Sequence, residues 1–114
     1  MTQISPTVLA QIADYFKVLS EVSRLQILCC LKDGPKNVSD IIEATGLGQA
    51  NVSKHLKILT HAGIVSRNPQ GVSVFYQITD ATIFELCKVV CEQLAIKLEE
   101  KSQQLELLEA FKKL

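Results

Sequence analysis

The run Gly46-Leu47-Gly48-Gln49-Ala50-Asn51-Val52-Ser53-Lys54-His55-Leu56-Lys57-Ile58-Leu59-Thr60-His61-Ala62-Gly63-Ile64-Val65 decides the fold. It reads as a tight turn, a helix with two faces and the start of a strand. Val52, Leu56 and Leu59 recur at helical spacing and can face a core. Gln49, Asn51, Ser53, Lys54, His55 and Lys57 fall on or beside the opposite face. They are polar or basic side chains of the kind that reach base edges and phosphates. A solvated surface helix usually carries Glu among its lysines, yet no acidic residue occurs between Ala44 and Thr79. The stretch therefore reads as the recognition helix of a helix-turn-helix. Gln49, Asn51, Ser53 and Lys54 are expected at base edges, and His55 and Lys57 at phosphates.

Working toward the N-terminus, Asn37 caps a short helix carrying Val38, Ile41 and Ile42, and Gly46-Leu47-Gly48 turns into the recognition helix. Asp33-Gly34-Pro35 ends an earlier helix, about Glu21 to Lys32, that is expected to bury Leu25, Leu28 and Leu31 with Ile27 and Cys30 close by. Before it, Ser5 and Pro6 open a first helix with Val8, Leu9, Ile12, Phe16 and Leu19 at helical spacing.

Toward the C-terminus the period changes. Ile64-Val65-Ser66-Arg67 reads as a strand, Asn68-Pro69-Gln70-Gly71 as a turn, and Val72 to Ile78 as a second strand. Together they make a hairpin, the wing of a winged helix, with Arg67 and Gln70 near its tip and within reach of the minor groove or the backbone. Thr79-Asp80 caps a last helix from Ala81 to beyond Leu98, in which Cys87, Cys91, Leu94 and Leu98 stack and Leu105, Leu108 and Phe111 prolong the apolar pattern. A helix of about 30 residues spans some 45 Å, too long for a domain of this size to cover. Its apolar face is expected to pair with a second copy, aided by the first helix. The fold class is mainly α with a small β-hairpin. One winged helix-turn-helix domain fills 1–114, with a DNA-reading part at about 36–78 and dimerisation by about 5–19 and 80–112.

Formal net charge is zero over 114 residues, but its distribution is uneven. Residues 44–79 carry Lys54, Lys57 and Arg67 and no acid, while the flanking segments are slightly acidic. The positive charge lies on the expected DNA face, and a dimer presents it twice. No apolar run reaches the length of a membrane span, and the first residues lack the pattern of a signal peptide. The chain is expected to be soluble and cytoplasmic, a setting that argues against structural disulfides among its four cysteines. No nucleophile with a base and no pair of carboxylates forms a catalytic pattern, so no enzyme is expected.

Leu19-Ser20-Glu21-Val22-Ser23-Arg24-Leu25-Gln26-Ile27-Leu28, the recognition-helix run, Ala62-Gly63-Ile64-Val65 and Val74-Phe75-Tyr76-Gln77-Ile78 follow one another as in a known family. The chain resembles an ArsR/SmtB-type winged-helix repressor from roughly Phe16 to Thr79. The resemblance implies a dimer on an imperfect palindrome over a promoter, released when an effector binds. Two features depart from the family. Glu21-Val22 stand where Asp-Pro is usual, and the wing lacks the usual pair of basic residues.

The family's common metal sites are missing. Asn37-Val38-Ser39-Asp40 holds no cysteine where the arsenic-type Cys-x-Cys pair belongs, and no His follows His61 for the zinc-type site. No cofactor is obligatory. Sulfur remains: Cys29, Cys30, Cys87 and Cys91. Arg24 to Cys29 resembles the branch of the family that senses reactive sulfur or oxidants. Its partner cysteine would fall at Ala95, one turn beyond Cys91. Three chemistries stay open. Trivalent arsenic or antimony can bridge Cys87 and Cys91, with Cys29 or a partner subunit giving a third thiolate. Oxidation can join a second-helix to a last-helix cysteine. A bond between adjacent Cys29 and Cys30 would be strained, because their Cα atoms lie only about 3.8 Å apart. Against all three stands simple packing, with cysteine as a small buried hydrophobe. The chain would then be a constitutive or protein-regulated DNA-binding module.

Overall fold

The computed structural model describes residues 3–114. In chain order these form α1 (Pro6–Leu19), α2 (Val22–Leu31), β1 (Lys36–Asn37), α3 (Val38–Thr45), α4 (Gln49–His61), β2 (Val65–Gln70), β3 (Ser73–Ile78) and α5 (Thr82–Lys112). They divide into two compact units, one ending at Asp80 and the other comprising Ala81–Leu114. The division falls where the sequence passes from the wing into the last helix.

In the first unit, α2, α3 and α4 pack on one another. Their core is Ile27, Leu28 and Leu31 from α2, Ile41 from α3, and Val52, Leu56 and Leu59 from α4, joined by Ile64 and Val65. Each of these side chains contributes roughly 1.5–3 kcal/mol by leaving water. Leu25 is not among them: at 37% exposure it sits at the rim, and Ile27 takes the core position expected of it. The caps follow local chemistry. Ser5 Oγ accepts from Val8 N at 3.4 Å at the start of α1. Asn37 Oδ1 accepts from Asp40 N at 2.8 Å at the start of α3. Gly46 ends α3 with φ 73°, a left-handed conformation that a side chain would strain. No α1 residue is buried, and Val8, Leu9, Ile12 and Phe16 keep 47 to 52% of their surface.

The wing departs from the expected two-stranded hairpin. Lys36–Asn37 add a short third strand, giving the antiparallel order β1-β3-β2. The turn also lies later than Asn68–Gly71. β2 continues through Gln70, and Gln70 pairs with Ser73 around a two-residue turn, Gly71-Val72. Pro69 does not break the strand because β2 is the edge of the sheet, where a missing N–H costs no ladder bond. Gly71, with φ 62°, takes the first turn position, where two-residue hairpins need positive φ. Arg67 is consequently mid-strand, opposite Tyr76, and only Gln70 adjoins the tip.

The second unit is built on α5, a helix of 31 residues with Ala81 at its N-cap position, one residue beyond the expected Thr79-Asp80 cap. Val90, Leu94, Leu98, Leu105, Leu108 and Phe111 along it are 50 to 73% exposed. Among the described residues, no helix is long and apolar enough to cross a membrane.

Candidate nucleic-acid interface

The recognition helix is set by its two ends and by its buried stripe. Gly48 begins α4 without a side-chain cap, so the first-turn N–H groups have no side-chain acceptor at that end. Val52, Leu56 and Leu59 fix the rotation of the helix on the core. That rotation leaves Gln49, Asn51, Ser53, Lys54 and Lys57 exposed together. On the wing, Arg67 and Gln70 are exposed as well. These seven residues, all among those expected at DNA, are exposed.

His55 is a correction. It was expected to face DNA and meet a phosphate, but it is only 6% exposed. The physical reason is its spacing: three residues after Val52 and four before Leu59, it lies on the buried stripe. Its Nδ1 lies 3.2 Å from Arg24 Nη1. Burial, the Arg24 guanidinium and the Lys54 ammonium together lower its pKa from the ordinary 6.5. These surroundings favour the neutral ring, and its burial takes it off the exposed face of α4.

Arg24 completes this arrangement. Its Nε donates to Val18 O at 2.6 Å and its Nη2 to Lys17 O at 3.3 Å. These carbonyls close α1, so a cation meets the negative end of that helix. Nothing in local spacing marked Arg24 for this role, because its partners lie on two other helices.

Sequence reasoning also missed His61 and Tyr76. With Ser53, Lys57, Thr60 and Arg67 they line an open groove between α4 and the sheet. His61 follows Lys57 by one helical turn, which was a usable signal. Tyr76 enters through its pairing with Arg67, which depends on the true position of the turn.

Of the cysteines, Cys29 is exposed and Cys30 half-buried, and both line a shallow groove with Val22, Leu25, Gln26, Ala44 and Thr45. Burial raises the Cys30 pKa, partly opposed by the Lys36 charge. Thr45 ends α3 beside that groove, where its Oγ1 accepts from Leu47 N at 3.3 Å. The groove thus abuts the turn into the recognition helix. On α5, Cys87 is half-buried and Cys91 exposed. Among the described residues, no group of three or more His, Cys, Asp or Glu side chains gathers as a metal site.

Comparison with known proteins agrees with this geometry. The model of the arsR family of bacterial regulatory proteins matches residues 21–67. The chain is 38% identical over 77 residues to the HTH-type transcriptional regulator NmtR of Mycobacterium tuberculosis, covering 68% of this chain and 64% of that protein. It is 32% identical over 99 residues to the HTH-type transcriptional regulator Rv0081 of the same species, covering 86% and 87%. The crystal structure of Rv0081 superposes with a TM-score of 0.76 and 29% identity, over 86% of this chain and 98% of that one. The homodimeric winged helix-turn-helix DNA-binding domain Mb0332 of Mycobacterium bovis, solved by NMR, gives 0.70 at 32% identity, over 83% and 94%. The chain belongs to the arsR family and is a DNA-binding winged helix-turn-helix transcriptional regulator.

Proposed function

We propose that the chain represses transcription by occupying an operator as a homodimer, and leaves it when an effector acts on its cysteine thiols. The observation that carries the DNA reading is the outer face of α4. Five polar or basic side chains are exposed there together, in a segment with no carboxylate. Dimerisation is supported by the exposed apolar residues of α1 and α5, and by the homodimeric state of the M. bovis domain. An exposed Leu94 or Leu98 is costly in a monomer and is covered readily by a second copy. The thiol reading is supported by Cys29, an accessible sulfur beside the end of α3 and the turn that positions α4. The effector is a trivalent metalloid such as arsenite, bridged by Cys87 and Cys91, which lie one turn apart on α5, or an oxidant or reactive sulfur species acting on Cys29.

The test is a binding titration on the DNA upstream of the protein's own coding sequence. Reduced protein is compared with protein given arsenite, then peroxide or a polysulfide. Release by arsenite alone identifies a metalloid sensor. Release by oxidant, reversed by dithiothreitol, identifies a redox switch. A quadruple Cys→Ser protein that responds to both as the wild type does rejects the thiol reading and leaves a regulator whose cysteines only pack. Sedimentation of the reduced protein, with Leu94→Lys as the disrupting variant, tests the dimer.

A further inference from the structure

Helices α1 and α4 meet through a residue that belongs to neither. No residue of α1 is buried. Its last turns face the end of α4 across an open groove of about 840 Å³, with Tyr15 and Val18 on one side and Ile58, His61 and Ala62 on the other. Arg24 of α2 also lines this groove. Its Nε donates to Val18 O at 2.6 Å and its Nη2 to Lys17 O at 3.3 Å, both on α1. Its Nη1 lies 3.2 Å from His55 Nδ1 on α4. All three partners are on helices other than its own. His55 adds a second, independent sign. Among the described residues it is the one buried residue with a polar side chain. A leucine there would extend the stripe of Val52, Leu56 and Leu59 equally well. A buried polar group with its partner in place fixes one geometry, which an apolar contact does not. His55 also sits amid the exposed residues of α4: Lys54 adjoins it and Asn51 lies one turn before it.

We propose that Arg24 is a positioning residue for operator binding, which braces the recognition helix, through His55, against the end of α1. With α4 as the base-reading helix and α1 as a dimer helix, the readings on which this inference rests, the brace carries the geometry of the dimer to each α4. Two recognition helices read a palindrome only at the spacing of its half-sites, about 34 Å for one turn of DNA. Side chains in a binding site must be held to within about 0.5 Å and 10–20°. The core stripe sets the rotation of α4 within one subunit, and Arg24 ties that helix to the element that meets the second. The brace depends on the charge of His55. A guanidinium only donates, so it needs the Nδ1 lone pair. A proton on Nδ1 removes that acceptor and sets an imidazolium against the guanidinium. Lys54 on α4 adds a further positive charge, and Glu21 at the start of α2 opposes them. Acid therefore breaks the brace and loosens operator binding. Added histidine charge would act the other way, by strengthening the attraction to phosphates.

The test uses the full chain and the same upstream duplex, at a temperature where circular dichroism shows each protein folded. At pH 7.5, Arg24→Ala and His55→Leu should each weaken binding about tenfold while sedimenting as the wild type does. The double variant should lose no more than the weaker-binding single one, because both remove the same bond. His55→Leu keeps the buried stripe and removes only the acceptor, so the test stands even where Arg24→Ala fails to fold. His55→Gln, whose side-chain oxygen can accept from Arg24, should recover most of what His55→Leu loses. The slope of log affinity against log salt should keep its wild-type value throughout, since no phosphate contact is removed. In a His61→Gln protein, which has His55 as its only histidine, binding should weaken about tenfold from pH 7.5 to 5. Adding His55→Gln should abolish that decline. Wild-type affinity in His55→Leu overturns the proposal, as do additive losses in the double variant. A salt slope lowered by about 0.9 in Arg24→Ala would make Arg24 a phosphate contact and overturn it too. So would affinity that stays level or rises in acid. A wild type that binds no duplex rejects the base-reading role of α4, and one that sediments as a monomer rejects the dimer. A dimer that binds DNA but is indifferent to Arg24 and His55 rejects only the brace.

Discussion

Arg24 Nη1 lies 3.2 Å from His55 Nδ1, and through this contact the end of α1 is tied to the middle of the recognition helix. The same guanidinium holds Val18 O and Lys17 O at 2.6 and 3.3 Å. A guanidinium only donates, so His55 must present its Nδ1 lone pair and keep its proton on Nε2. Replacing Arg24 by Ala leaves a ring nitrogen and two helix-end carbonyls without this donor. The expected loss is about 2–3 kcal/mol in urea unfolding. Arg24→Lys should recover less than half of it, because an ammonium cannot reproduce three donors in a planar fork. A lysine variant as stable as the wild type would show that charge at the α1 terminus is all that counts.

The same pair predicts how stability depends on pH. The folded-state pKa of His55 is lowered below 6.5, first by burial and then by Arg24 and Lys54. Protons therefore bind the unfolded chain more readily than the folded one. The stabilisation from a neutral His55 is complete above pH of about 6.5 and is lost as pH falls from there through the folded pKa. Thermal midpoints measured from pH 7.5 to 5 should decline, and His55→Gln should decline less steeply over that interval. Equal slopes for the two proteins would place the acid sensitivity elsewhere.

Most of the fold was legible because it is written in local spacing. Ser5, Asn37 and Gly46 mark helix ends by their own chemistry, and Val52, Leu56 and Leu59 give the buried stripe of α4 directly. His55 was misread although its position carried the answer. It lies on that stripe, but a polar side chain reads as outward until its partner is known, and Arg24 is 31 residues away. The wing failed for a similar reason. Asn68-Pro69-Gln70-Gly71 has turn composition, yet β2 is an edge strand in which Pro69 costs little. A turn at those four residues would have set Arg67 opposite Val72 rather than Tyr76, and with that error the groove that both residues line could not be seen. Strand β1 is two residues long and has no pattern of its own to read.

Cys29 and Cys30 are neighbours in sequence but not in exposure. Cys29 is exposed, whereas Cys30 is half-buried with its pKa raised by burial. Only the thiolate is nucleophilic, so alkylation at pH 8 should label Cys29 first. Timed iodoacetamide labelling read by peptide mass spectrometry is expected to show Cys29 several-fold ahead of Cys30. Denaturation in urea should remove the difference. Equal rates in the folded protein would mean that the groove shared by the two thiols opens faster than they react.

Among the exposed residues of α4, Asn51 is the one whose replacement should most specifically alter sequence preference. It is exposed on the first half of α4, one residue before the core anchor Val52, so its backbone is well fixed while its amide is accessible. A bidentate contact between that amide and adenine N6 and N7 contributes about 1–3 kcal/mol of discrimination at one base pair. Asn51→Ala should therefore weaken operator binding by about that amount. It should leave non-specific binding unchanged and relax preference at a single position in each half-site. The comparison is a set of operators mutated one base pair at a time, titrated with wild type and variant at fixed salt. If Asn51→Ala weakens every sequence by the same factor, the side chain meets the backbone, and base reading passes to Gln49, Ser53 and Lys54 on the same exposed face.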